Sequence, residues 1–155
     1  MPIAGIAPAV GNRVPRVLYS LLLAAAVLSD SMTLDISAPH KVRAGEPVAL
    51  AIRLTNTGKQ PMTLYLRGRP IAFDLVVTDA RGTIVWRRLE NAVTSMVLQV
   101  RELPPGETLT FEDAWLQRTN AGAVAQPGEY QVRGEILTDT DTSLATPVRT
   151  FRIIP

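Results

Sequence analysis

Apolar and polar residues alternate with period two in several stretches of the chain, and each such stretch predicts a β-strand with one face turned to a core. Val48, Leu50, Ile52 and Leu54 alternate with Ala49, Ala51, Arg53 and Thr55. Met62, Leu64 and Leu66 alternate with Thr63, Tyr65 and Arg67. Phe73, Leu75 and Val77 flank Val76, so this strand reads as buried on both faces. Further strands are predicted at Met32–Ser37, Thr83–Arg87, around Leu109 and Phe111, around Tyr130 and Val132, and near the C-terminus. The last runs in the phase of Val148, Thr150 and Arg152 or in the opposite phase of Arg149, Phe151 and Ile153. No stretch beyond residue 30 shows the 3.6-residue stripe of an amphipathic helix, although residues 88–96 have room for one helical turn.

Turn chemistry separates these stretches. Asn56 and Gly58 tolerate positive φ between the strands on either side. Asp79-Ala80-Arg81-Gly82 reads as a hairpin loop with glycine at its left-handed position. Pro105-Gly106 and Pro127-Gly128 fit type II turns, where proline fixes the first central φ and glycine supplies the positive second one. Short strands at even spacing, closed by such turns, predict an all-β fold: an immunoglobulin-like antiparallel β-sandwich of seven to nine short strands. Its expected core is Leu50, Ile52, Leu64, Phe73, Leu75, Val77, Trp86, Phe111, Tyr130 and Val132.

Residues 1–30 break this pattern. Arg13 and Arg16 precede the apolar run Val17–Leu28, which is too short to span a bilayer comfortably. Basic residues, an apolar run and then small residues are the layout of a secretory signal peptide. The competing reading is a start at Met32, where the first β-like stretch opens. The expected organisation is therefore a signal-like or spurious extension over 1–30 and a β-sandwich domain over 31–155. Cleavage implies a secreted or periplasmic protein, a start at Met32 a cytoplasmic one, and neither includes a stable membrane span.

Charge and composition narrow the function. The chain carries 16 basic and 14 acidic residues, and Arg13 and Arg16 account for the whole excess. A neutral domain gives no electrostatic ground for a nucleic-acid partner. Without cysteine there is neither a disulfide framework nor a thiolate metal site. The single histidine, His40, lies between Pro39 and Lys41 in an expected loop, and no nucleophile-elbow sequence accompanies it. Asp139-Thr140-Asp141-Thr142 resembles one arm of a calcium site but lacks the glycine-containing loop, so a polar connection is the better reading. Glu112 and Asp113 are strand neighbours pointing to opposite faces, which suits them poorly to sharing a proton. Trp86 and Trp115 fall in strand patterns and read as core anchors. No catalytic residue, metal ligand or cofactor is predicted, and the chain reads as a binding module and not an enzyme.

One exposed segment stands out as a partner-contact loop: Arg67, Gly68, Arg69 and Pro70, between two predicted strands. Pro70 disfavours helical conformations at Arg69, so the loop is expected to be extended and exposed. It also discourages cutting after Arg69, because the scissile nitrogen belongs to proline. Loop 117–127 is the rival, longer and expected to be floppier.

Several of these residues carry a resemblance to a family. Leu54–Gly58, the hairpin Phe73–Trp86, Leu103–Phe111 followed by Trp115, and Pro127–Gly134 together resemble the BsuPI domain, the family of the Bacillus intracellular proteinase inhibitor. The resemblance runs from Val42 to about Gly134. It implies an Ig-like sandwich and, through the family name, a protein partner of the serine-proteinase class. The alternative is a non-inhibitory Ig-like interaction or structural module of the bacterial cell envelope. The family's intracellular namesake and the signal-like segment of this chain point to different compartments.

Overall fold

A computed structural model describes residues 31–155, so the expectations placed on 1–30 lie outside the described residues. The described chain holds eleven strands: β1 (Met32–Ser37), β2 (Lys41–Arg43), β3 (Val48–Asn56), β4 (Met62–Arg67), β5 (Phe73–Asp79), β6 (Ile84–Arg87), β7 (Leu98–Leu103), β8 (Thr108–Trp115), β9 (Gly128–Ile136), β10 (Leu144–Ala145) and β11 (Arg149–Ile154). β2 and β10 are fragments of three and two residues, which leaves nine of ordinary length. There is no helix among the described residues. The segment after β6 is a pair of tight turns closed by Glu90 N–H to Arg87 O and Ala92 N–H to Leu89 O.

The strands form two principal sheets. One has the order β1-β3-β8; the other has the order β2-β11-β9-β5-β6, with β10 on β9. All pairings are antiparallel except β2 with β11. That parallel pair arises because the chain leaves the first sheet after β1, crosses at Ala38-Pro39-His40, and continues as β2 on the edge of the second. β4 and β7 form a separate two-stranded ribbon. Arg67 N–H bonds Leu137 O at 3.0 Å, which ties this ribbon to the chain beyond β9.

The core lies between the facing sheets, as period-two burial requires. Leu50, Ile52 and Leu54 of β3 face Val132 and Ile136 of β9, and all are buried. β5 is buried from Phe73 through Val77, the two-faced burial expected of it. β11 takes the Phe151/Ile153 phase. Trp86 and Phe111 pack against the core but stay partly exposed, because β6 and β8 are sheet edges. Trp115, Tyr130 and Phe151 meet edge-on or stacked, with centroids 5.6–6.1 Å apart. Tyr130 Oη donates to Gln126 O at 2.7 Å, the backward bond of a tyrosine corner in immunoglobulin-like sandwiches.

Candidate functional site

The turn 67–72 joins β4 to β5 and carries the predicted contact residues. It is closed rather than extended. Ala72 N–H bonds Arg67 O at 2.7 Å, Gly68 N–H bonds Val97 O at 2.7 Å, and the Gln99 side-chain amide donates to Gly68 O. Gly68 sits at φ 97°, and a Cβ there would lie 2.7 Å from Pro70 O and 2.9 Å from Ala72 N. Only glycine suits both the left-handed backbone and the space. The Arg69–Pro70 peptide is cis. Gly68 is therefore buried, Arg67 half-buried, and Arg69 with Pro70 forms the exposed tip. The sequence brought Arg67 and Arg69 together as equals, but the fold gives the tip to Arg69 alone.

Arg69 also borders a groove of about 630 Å³ between the start of β5, the β6–β7 connection, β7 and the edge of β8. Phe73 and Phe111 lie on its apolar side with ring centroids 5.4 Å apart. Arg88 crosses it. Its guanidinium lies 3.9 Å above the Phe73 ring centroid, Nη1 donates to Phe73 O at 3.0 Å, and Nε pairs with Asp113 Oδ2. One side chain of the β6 connection thus reaches an acid on the opposite sheet and braces the open side of the sandwich. Arg69 and Arg101 make no ion pair among the described residues. Arg88, Gln99 and Arg101 were not singled out in the sequence. The alternation of Leu98, Gln99, Val100 and Arg101 is the signal that marks β7, but its apolar residues Leu98 and Val100 face solvent.

Loop 117–127 is more constrained than its composition suggests. Thr119 N–H bonds Ala123 O and Gly122 N–H bonds Thr119 O. Buried Gln117 has φ 55°, accepts from Gly45 N–H at 3.0 Å and donates to Arg43 O and Glu46 O at 2.7 and 2.6 Å. The side chain and backbone N–H of Asn120 bond Arg87 and Val85, so this loop covers the outer edge of β6. Its small residues give way to side-chain and backbone bonds that the sequence does not display.

The other candidates stand apart. His40 is exposed, and its carbonyl accepts from Arg152 N–H. In the 139–142 loop, Thr138 Oγ1 donates to Thr142 O at 2.8 Å and accepts from Thr140 N–H. Asp113 is taken by Arg88, whereas Glu112 forms no ion pair among the described residues and borders the groove. The Tyr130 phenol is held above its ordinary value by burial first and by the Asp79 carboxylate second.

Comparison with known proteins adds a family. No curated protein sequence matches the chain. Among solved structures, the β-glucosidase of Listeria innocua aligns at 14% identity and TM-score 0.41, covering 79% of this chain and 16% of that one. A β-glucosidase of Erythrobacter marinus aligns at 12% identity and TM-score 0.40, covering 80% and 15%. The CARDB domain of a Pyrococcus furiosus protein aligns at 14% identity and TM-score 0.41, covering 80% and 94%. This chain spans about a sixth of the length of the two glucosidases, and likenesses this weak carry nothing about glycoside chemistry. The family model for the intracellular proteinase inhibitor matches residues 36–140, from the buried Ile36 of β1 through the ribbon, the β5–β6 hairpin and β9. That match takes in the greater part of the chain, with β2 through β9 and the turn 67–72 inside it: the chain belongs to the BsuPI family, that of the intracellular proteinase inhibitor.

Proposed function

We propose that this protein binds a serine proteinase and inhibits it through the turn Arg67–Pro70. The family match over residues 36–140 is the observation that carries the reading. The geometry of the turn supports it. An inhibitory segment gains when it is held before binding, because less conformational entropy is then lost on association. Hydrogen bonds from Gly68 and Ala72 hold this turn, and Arg69 stands at its tip. The Arg67–Gly68 bond is shielded by burial of Gly68. The Arg69–Pro70 bond is exposed but has a proline nitrogen, so the accessible arginyl bond is the one a proteinase cuts poorly.

The test is inhibition by the whole chain across a panel of subtilisin-like and trypsin-like proteinases. The double variant Arg67→Ala/Arg69→Ala is expected to weaken inhibition of the responsive enzyme by about tenfold or more, as for a central contact. Its stability should change by no more than ~1 kcal/mol, because Arg69 is exposed and the half-buried Arg67 holds the turn through its backbone. Inhibition that survives the double variant removes this turn from the contact. Failure of the unaltered chain against the whole panel removes the inhibitor reading.

A second reading, a non-inhibitory module of the cell envelope, draws on Arg13, Arg16 and the apolar run behind them. Mass spectrometry of the native product separates the compartments. An N-terminus between Val27 and Asp30 supports export, and one at Met32 or Thr33 supports the cytoplasm.

A further inference from the structure

β8 ends the first sheet, with one side unpaired among the described residues. Asn56 N–H bonds Glu107 O, and Gly106 N–H bonds Asn56 O, at the turn end of the β3–β8 pair. Residues opposite each other in an antiparallel pair alternate between bonded and non-bonded. With the register Leu54↔Leu109, Ile52↔Phe111 and Leu50↔Asp113, the odd-numbered residues of β8 therefore bond β3. The backbone N–H and C=O of Thr110 and Glu112 point the other way. Among the described residues no strand pairs with that side, and both residues border the groove described above. Ala114, next in the outward series, has its N–H taken by Asp113 Oδ1 at 2.8 Å, which closes the series at that end.

Natural sheets cover, bend or charge such an edge. Here the edge lies beside an apolar wall of Phe73 and Phe111 and two cations, Arg69 and Arg101, that make no ion pair among the described residues, with Glu112 as the one acid on the groove. We infer that the outer edge of β8 is a strand-addition site: an extended, acidic segment of a partner protein pairs with the backbone of Thr110 and Glu112, and its carboxylates meet Arg69 and Arg101. Main-chain bonds supply affinity in such docking, and side-chain complementarity selects the sequence. The site stands whether or not the partner is a proteinase.

The probe is a capped hexapeptide of alternating valine and glutamate, titrated into the ¹⁵N-labelled full chain. The expected result is saturable shifts and exchange protection at the amides of Thr110 and Glu112. A lysine-for-glutamate peptide should bind at least about tenfold more weakly, since charge-assisted contacts become like-charge ones. Arg69→Glu/Arg101→Glu should reverse that preference. Peptide N-methylation should abolish binding, as should Thr110→Pro, which removes an outward N–H and leaves the β3 ladder intact. Equal binding of acidic and basic peptides, shifts confined to residues outside β8 and the groove, or no binding at millimolar peptide would overturn the inference. So would self-association that protects these amides in peptide-free protein, because the occupant is then a second copy.

Discussion

Asn56 is fully buried, and its side chain meets every hydrogen-bonding demand that burial creates. Nδ2 donates to Gln60 O and to Leu103 O, both at 2.8 Å, and Oδ1 accepts from Gly58 N–H at 2.9 Å. One residue so closes the β3–β4 turn and pins the end of β7. Removing a partner from buried polar groups costs about 1–3 kcal/mol for each group left unmatched. Asn56→Ala is expected to lower stability by about 3 kcal/mol in urea unfolding, and Asn56→Asp to recover only part, because it keeps the acceptor and loses both donors. A loss below ~1 kcal/mol for Asn56→Ala would show that water replaces the amide. At Tyr130 the stabilised form is the neutral phenol, since burial and Asp79 disfavour its anion. Below pH about 10 both folded and unfolded chains keep this proton, so the group adds no pH dependence. As pH rises above 10, the unfolded chain loses the proton first, and stability falls through that window. Tyr130→Phe should be less stable near pH 8 by ~1 kcal/mol, the usual worth of one hydrogen bond. The gap should narrow as pH climbs past 10; parallel curves to pH 11.5 would rule out this linkage.

Elements read correctly from the sequence are those in which the alternating residues are also the buried ones. β3, β5 and β9 follow this rule, and the Asp79–Gly82 hairpin forms with Gly82 at φ 81° and its N–H on Asp79 O. β7 breaks it. Leu98 and Val100 face solvent while Gln99 and Arg101 turn toward the groove, so an apolar-in reading of the same alternation turns the wrong face inward. The turn 67–72 was marked by its composition but not in its shape, because its closure depends on Val97 and Leu137, far along the chain. Sheet-on-sheet approach was equally hidden. A Cβ on Gly134 of β9 would lie 2.4 Å from Ile52 Cγ1 of β3, so the two sheets touch here with no room for a methyl group. Overpacking a fitted core costs roughly 1–3 kcal/mol. Gly134→Ala is expected to show at least that loss. Because the clash is with one side chain, Gly134→Ala/Ile52→Ala should be more stable than the sum of the single effects predicts, the coupling expected of residues in contact. Strict additivity would mean that the backbone, not Ile52, sets the spacing.

At the scale of the molecule, the two candidate contact loops lie at opposite ends of one buried strand. The turn 67–72 feeds β5 at Phe73. Loop 117–127 lies against the far end of that strand, where Thr119 and Gln126 share a surface depression with Asp79. Seven strand residues separate these ends, a distance of about 20 Å at ~3.3 Å per residue. A proteinase active site engages one protruding segment closely, so the two ends make separable predictions. Gln117 allows the separation, since its amide alone connects loop 117–127 to the β2–β3 turn at Arg43, Gly45 and Glu46. Gln117→Ala leaves two carbonyls and one N–H without these partners, at about 1–3 kcal/mol for each that water does not reach. It also removes the bonds that hold residue 117 in a left-handed conformation. The whole protein should melt lower and loop 117–127 should become accessible to limited proteolysis. If the turn at Arg67–Pro70 is the contact, inhibition measured well below the melting transition stays within about twofold of the unaltered chain, because nothing at that end depends on Gln117. A folded Gln117→Ala protein that has lost inhibition by tenfold or more would transfer the contact to loop 117–127. Measuring Arg67→Ala/Arg69→Ala beside it makes the assignment two-sided: one variant loses function with its stability kept, and the other loses stability with its function kept.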